Sequence, residues 1–176
     1  MPMICKVDKL KNVNGSVNEV VFELSAEELR ECSSIDLAEG NLVFRGTAEN
    51  KDRVITVKGT ISCVIAGFCD RCGENVKVPL VCEFGEAFSN LEEKADEDAL
   101  DEDDVIHFFE GDEIDLLPYV EQSIFLAMPM KILCRPDCKG LCPQCGINLN
   151  ENECSCDKSP IDPRFLFLLP YLPVHV

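Results

Sequence analysis

The chain has 176 residues, 46% of them hydrophobic and 28% charged, enough for one domain or two small ones around a real core. Lys and Arg number 16 against 33 Asp and Glu, a formal net charge of −17, and 12 Cys stand beside only 2 His. This composition excludes a wholly disordered chain, and the longest apolar run, 165–174, is half the roughly 20 residues of a spanning helix.

The elements predicted in chain order begin with a short strand at Val20, Phe22 and Leu24. Ser25-Ala-Glu-Glu28 has the spacing of a capping box, so a short helix follows to about Glu31. Leu42 to Ala48 reads as a second strand. The clearest strand is Val54 to Phe68, where Ile55, Val57, Ile61, Cys63 and Ile65 share one face. Its antiparallel partner is Val76 to Phe88, with Val78, Leu80, Cys82, Phe84 and Phe88 inward. Cys69-Asp-Arg-Cys72-Gly73 then falls at the hairpin tip. Cys63 and Cys82 read as small core residues, and Cys5 and Cys32 take the same assignment. Val105 to Phe109 is one more strand. Asp115 is placed as an N-cap, with Pro118 in the first turn and Leu117, Val120, Ile124 and Ala127 or Met128 at helical spacing until Pro129.

The whole is expected to be α+β: a mainly antiparallel β-domain, one longer helix and a cysteine-rich, zinc-binding C-terminal tail. The divisions are a β-rich part over 1–110 with an acidic loop at about 89–104, the helix over 111–130, and the tail over 131–176. The N-terminal residues lack the basic-then-apolar layout of a secretory signal, so the expected location is the cytoplasm.

The tail holds six cysteines, Cys134, Cys138, Cys142, Cys145, Cys154 and Cys156, within 23 residues. Cys142-Pro-Gln-Cys145-Gly146 repeats the pattern of the hairpin tip. A gap of two residues turns both sulfurs toward one ion, and the glycine after it permits the positive φ that points backbone N–H groups at sulfur. Clustered thiols in an intracellular chain with almost no histidine favour a structural zinc site of four cysteines. Disulfides and an iron–sulfur cluster are the competing uses of the same thiols. The grouping stays open. Cys142, Cys145, Cys154 and Cys156 form a local set that closes short loops. The single residue between Cys154 and Cys156 demands a tight turn, which Cys138 or Cys134 in place of one would relieve. A zinc ribbon would instead join Cys69 and Cys72 to Cys142 and Cys145. These eight cysteines suffice for two ions.

Residues 92–115 carry 13 acidic side chains and one base, Lys94. Such a block is a solvated loop or a docking strip for a basic partner. Scarce cations argue against tight grip on bare nucleic acid, which draws its affinity from displaced phosphate counterions. Direct RNA binding by the cysteine-rich module would need a patch around Lys131, Arg135 and Lys139. His107 reads as a structural residue of its strand and His175 as a frayed end. No nucleophile elbow, phosphate loop, zinc-protease helix or dinucleotide fingerprint is present, so no catalytic residue is assigned.

The order of these features resembles the YceD family, the large ribosomal RNA subunit accumulation proteins. The likeness rests on Cys69-Asp-Arg-Cys72 after a strand, the acidic stretch, Gly111-Asp-Glu-Ile-Asp-Leu116, the helix end Leu126-Ala-Met-Pro-Met130, and the tail Cys138 to Asn150 with Cys154-Ser-Cys156 and Ile161-Asp-Pro-Arg164. It covers about residues 50–165. Beyond Arg164 this chain departs, with an apolar, proline-broken end in place of a polar helix. The resemblance implies a non-enzymatic role in accumulating or processing large-subunit ribosomal RNA. The acidity points to basic ribosomal proteins or large-subunit precursor particles as partners, with no membrane contact.

Overall fold

The structure, a computed structural model, describes residues 3–91 and 105–156. Alternation of apolar and polar residues builds four consecutive strands: β2 (Val17–Ser25), β3 (Leu37–Lys51), β4 (Val54–Phe68) and β5 (Asn75–Ser89). They form an antiparallel meander, and β6 (Ile106–Phe108) joins β5 in parallel to complete a sheet of order β2-β3-β4-β5-β6. A small antiparallel sheet pairs β1 (Ile4–Lys6) with β7 (Glu113–Asp115). The helices are α1 (Ala26–Cys32) and α2 (Leu117–Ala127), the latter packed on β5. The fold is therefore α+β with a mainly antiparallel sheet.

One face of the sheet makes the core. Ile55, Val57, Ile61, Cys63 and Ile65 of β4 are all buried, as are Leu80, Phe84 and Phe88 of β5. Leu117, Val120 and Ile124 close over them from α2. Each such side chain contributes about 1.5–3 kcal/mol when removed from water, which is why the alternation fixes the register. Phe44 meets Phe84 edge-on at 5.2 Å, and Phe88 meets Tyr119 in the same way at 5.1 Å.

The capping box forms as its spacing requires. Ser25 Oγ accepts from the Glu28 N–H, and the Glu28 carboxylate accepts from the Ser25 N–H at 3.0 Å. Two assignments change. Asp115 is not the N-cap of α2; it ends β7, because Leu116 N–H still donates to Met3 C=O at 2.9 Å, and Leu116 takes the cap position. The Asp115 carboxylate nevertheless accepts from Leu117 N–H at 3.1 Å. Cys32 is exposed rather than core: α1 is seven residues long and turns only Leu29 fully inward, leaving the Cys32 thiol to donate to Glu28 C=O. Strands β1 and β7, three residues each, have too few residues to show a period.

The β3–β4 turn is two residues, Asp52 and Arg53, both at positive φ (52° and 65°), the conformation that matches the twist of a hairpin. Beneath it Asn50 is 2% exposed. Its amide donates to Leu10 C=O at 2.6 Å and Val13 C=O at 3.2 Å, and its Oδ1 accepts from Arg53 N–H at 3.1 Å. Asn50→Ala strands these buried groups and is expected to cost about 2–3 kcal/mol in urea unfolding.

The β4–β5 hairpin keeps unbroken register from Val54 opposite Ser89 to Phe68 opposite Asn75. It carries its tip, residues 69–74, away from the core, and that tip holds the first pair of cysteines.

Candidate metal centre

The eight candidate sulfurs gather into two groups of four. In each group the sulfurs lie within 4.8 Å of one another. The inner group is Cys69, Cys72, Cys134 and Cys138; the outer is Cys142, Cys145, Cys154 and Cys156. The local set thus comes together with both Cys154 and Cys156 in it. The zinc-ribbon pairing of Cys69 and Cys72 with Cys142 and Cys145 does not occur; Cys134 and Cys138 take that place. All twelve cysteines are free thiols.

The two Cys-x-x-Cys-Gly units fold alike. At the hairpin tip Gly73 has φ +74° and donates to Cys69 C=O at 2.8 Å, while Cys69 N–H donates to Glu74 C=O at 2.8 Å. In the tail Gly146 has φ +72° and donates to Cys142 C=O, and Cys142 N–H donates to Ile147 C=O, both at 2.9 Å. The positive φ is what the glycine supplies: it folds the backbone back so that amides face the first sulfur.

Polar contacts clamp the tail to the tip. Asp70 N–H donates to Ile132 C=O at 2.8 Å, and the Asp70 carboxylate accepts from Ile132 N–H at 2.6 Å. Arg71 reaches Cys138 C=O at 2.7 Å, and its own C=O accepts from Leu141 N–H at 3.1 Å. Gly140 passes so close that a Cβ there would stand 2.9 Å from Arg71 O. Asn148 donates to the Glu74 carboxylate at 2.7 Å, which ties the outer group to the same tip.

The geometry fits a tetrahedral ion. Metal–sulfur bonds of about 2.3 Å place neighbouring sulfurs about 3.8 Å apart. Here Cys69 and Cys138 sulfurs are 3.8 Å apart, and those of Cys72 and Cys134 are 3.6 Å apart. Second partners are present as well: Asn150 Nδ2 donates to the Cys138 sulfur at 3.3 Å. Each cluster can therefore hold a metal ion. Burial separates the two. Cys69, Cys72 and Cys138 are buried, sharing a small apolar cluster with Val76 and Leu133, whereas Cys145 is exposed and Cys154 and Cys156 are half-buried.

The thiols divide in their acidity. Burial raises Cys69, but N–H donors of Cys134, Arg71 and Cys72 outweigh it and lower the thiol to about 6. Cys142 is lowered to about 6 by the Cys145 and Gln144 amides. Cys134 is raised to about 12, by burial and then by the sulfurs of Cys138, Cys72 and Cys69. Cys156 is raised to about 12, chiefly by Cys145 and by burial. Four sulfur anions cannot crowd together without a cation between them.

Outside the clusters, His107 is held by structure, as its strand implied: Nε2 lies 2.9 Å from Glu86 Oε2, and the ring is 4.4 Å from that of Tyr119. His175 and most of the acidic stretch, 92–104, lie outside the described residues. No helix among the described residues is long and apolar enough to cross a membrane. What the sequence left unread is the set of tail contacts made by Asp70 and Arg71, which sit inside the first Cys-x-x-Cys and carry no signal of their own.

Comparison with known proteins places this arrangement. The family model described as "Large ribosomal RNA subunit accumulation protein YceD" matches residues 57–169. An uncharacterised protein of Mycobacterium tuberculosis (strain H37Rv) is 32% identical over 124 residues, 70% of this chain and 58% of that one. The chloroplastic "Large ribosomal RNA subunit accumulation protein YCED homolog 1" of Arabidopsis thaliana is 29% identical over 139 residues, 65% of this chain and 43% of its own. The uncharacterised protein YlbN of Bacillus subtilis (strain 168) is 31% identical over 125 residues, 70% of both chains. The chain thus spans 58% of the mycobacterial relative and 43% of the plant one. No solved structure matches it. Since the family match starts within β4 and takes in all eight clustered cysteines, the chain belongs to the YceD family of large ribosomal RNA subunit accumulation proteins.

Proposed function

We propose that this chain is a non-enzymatic ribosome-biogenesis factor that supports accumulation of large-subunit ribosomal RNA, with one structural zinc ion in each cysteine cluster. The observation that carries the metal assignment is that each cluster is a complete set of four sulfurs, so a bound ion keeps no open position for water or substrate. Cys69, Cys72, Cys134 and Cys138 would hold one ion, and Cys142, Cys145, Cys154 and Cys156 the other; zinc would supply the positive charge that lets the thiolates sit together. The role in ribosomal RNA accumulation follows the family and the name of the plant relative. A net charge of −17 supports contact with basic ribosomal proteins or precursor particles rather than bare RNA phosphates.

Two measurements test this. Elemental analysis of the purified chain should give two zinc per polypeptide, with the eight clustered thiols blocked to modification until denaturation; iron in their place would replace the ion. Deleting the gene should lower large-subunit ribosomal RNA relative to small-subunit RNA, with the protein co-sedimenting with large-subunit precursors. An unchanged ratio would remove the biogenesis role.

Binding should depend on pH in a stated direction. Above about 6, Cys69 and Cys142 are already thiolates, while Cys134 and Cys156 must each lose a proton to the incoming ion. Below about 6 the two acidic thiols also hold protons, so more must leave per ion. Zinc affinity, followed by competition with a chromophoric chelator, is expected to fall as pH is lowered, with a steeper slope below pH 6.

A further inference from the structure

Among the described residues the main sheet ends at β2 and the small sheet at β1, and neither outer edge carries another strand. Residues of both line adjoining cavities of about 470 and 180 Å³. Ile4, Lys6 and Phe22 border both cavities, and Met3, Leu24 and Glu113 line the larger.

Natural edge strands are usually blunted by lysine, proline, a bulge or an inward-pointing charge. Strand β2, Val17-Asn-Glu-Val-Val-Phe-Glu-Leu-Ser25, has none of these; its only charges are the outward Glu19 and Glu23, which guard the edge against an acidic or identical strand but not against a basic one. Its register with β3 runs unbroken over nine pairs, and its inward positions are Val20, Phe22 and Leu24. Val17 and Val21 are more than half exposed on its other face. Among the described residues the outer backbone edge of β2 therefore has no strand partner, and it lies beside an apolar recess.

Charge selects the occupant. Glu23, Glu28 and Glu113 line the larger recess and Glu19 the smaller, against Lys6 as the single cation of the two linings. A second copy of this chain is a poor fit, since pairing β2 with β2 brings Glu19 and Glu23 of both copies together. A nucleic acid offers no strand and is repelled.

We propose that the cleft between β1 and β2 captures an extended basic segment of a partner protein by strand addition. Main-chain hydrogen bonds to the β2 edge give affinity; alternate apolar side chains enter the recess by Met3, Phe22 and Leu24, and cations meet Glu23, Glu28 and Glu113. The proposal deepens the ribosomal reading by naming where a basic partner sits.

The test uses the full chain and synthetic nine-residue peptides. A peptide of alternating lysine and valine is expected to slow exchange at least tenfold at those alternate amides of residues 17–25 that point away from β3. Its backbone N-methylated form and an alternating glutamate–valine peptide should leave that exchange unchanged. Glu19→Lys with Glu113→Lys should weaken binding about tenfold, read by anisotropy of a labelled peptide. Both residues are exposed, so the fold persists, and exchange in β4 reports it. Protection elsewhere, equal binding of the acidic peptide, or protection only through self-association would overturn the proposal. None of these outcomes touches the ribosomal RNA ratio, so the two readings fail separately.

Discussion

Replacing Cys138 with serine is expected to halve the bound zinc and to free the tail from the hairpin tip without unfolding the sheet. The inner cluster joins residues 62 and 69 positions apart in sequence, whereas the outer one closes within residues 142–156. By the chain-entropy account, a link across some 65 residues restrains the unfolded state by about 4 kcal/mol and one across some 12 by about 3. An ion in the inner cluster would therefore fix tertiary structure, and one in the outer cluster would fix a loop. Amide exchange at Ile132 and Leu141, which bond the tip, should speed by a hundredfold or more in Cys138→Ser, because both bonds depend on the tail staying docked. Amides of β3 and β4 should keep their protection, since the core cluster of the sheet shares no residue with the buried cysteine cluster. Cys145→Ser should lose one zinc as well but leave Ile132 protected. Loss of both ions from either variant would show that the clusters form one unit.

That division was only partly legible in the sequence. Spacing alone announces each Cys-x-x-Cys-Gly knuckle, and the period of two announces β4 and β5 almost to the residue, since both signals are local. The capping box at Ser25 and Glu28 is local too. The partners of Cys69 and Cys72 are not: the tail can bring either Cys134 and Cys138 or Cys142 and Cys145 to the tip within the same chain length, and the choice is made by Asp70 and Arg71 bonding Ile132, Cys138 and Leu141. The tight turn that weighed against Cys154 with Cys156 is made, and both belong to the outer cluster. Strand β3 is longer than its predicted core at Leu42–Ala48 because its first residues pass Gly40, at φ +69°, and a register shift that breaks the alternation. The short pair β1 and β7 exists only through the tertiary fold.

Gly46→Ala is expected to be among the most damaging single-methyl additions in the sheet, at about 3 kcal/mol or more. Gly46 and Gly59 stand directly opposite each other on β3 and β4, in a cross-sheet row that runs Val20, Gly46, Gly59, Phe84. A Cβ on Gly46 would overlap the Lys58 carbonyl oxygen and lie 2.8 Å from Gly59 Cα. One on Gly59 would lie 2.5 Å from Arg45 O and 2.8 Å from Gly46 Cα. The obstructing atoms are backbone in paired strands, so no rotamer change relieves the overlap; the strands must part, and ladder bonds and the packing of buried Phe44 on Phe84 go with them. The same strand displacement shifts the root of the hairpin that carries Cys69 and Cys72, so Gly59→Ala should also lower zinc retention under chelator challenge. Gly85→Ala is the control: nothing lies within 4 Å of its Cβ, and an alanine there should be neutral or stabilise by a few tenths of a kcal/mol. Urea unfolding of the three variants decides the matter, and a Gly46→Ala chain within 1 kcal/mol of the parent would mean that the two strands approach less closely in solution than the paired glycines allow.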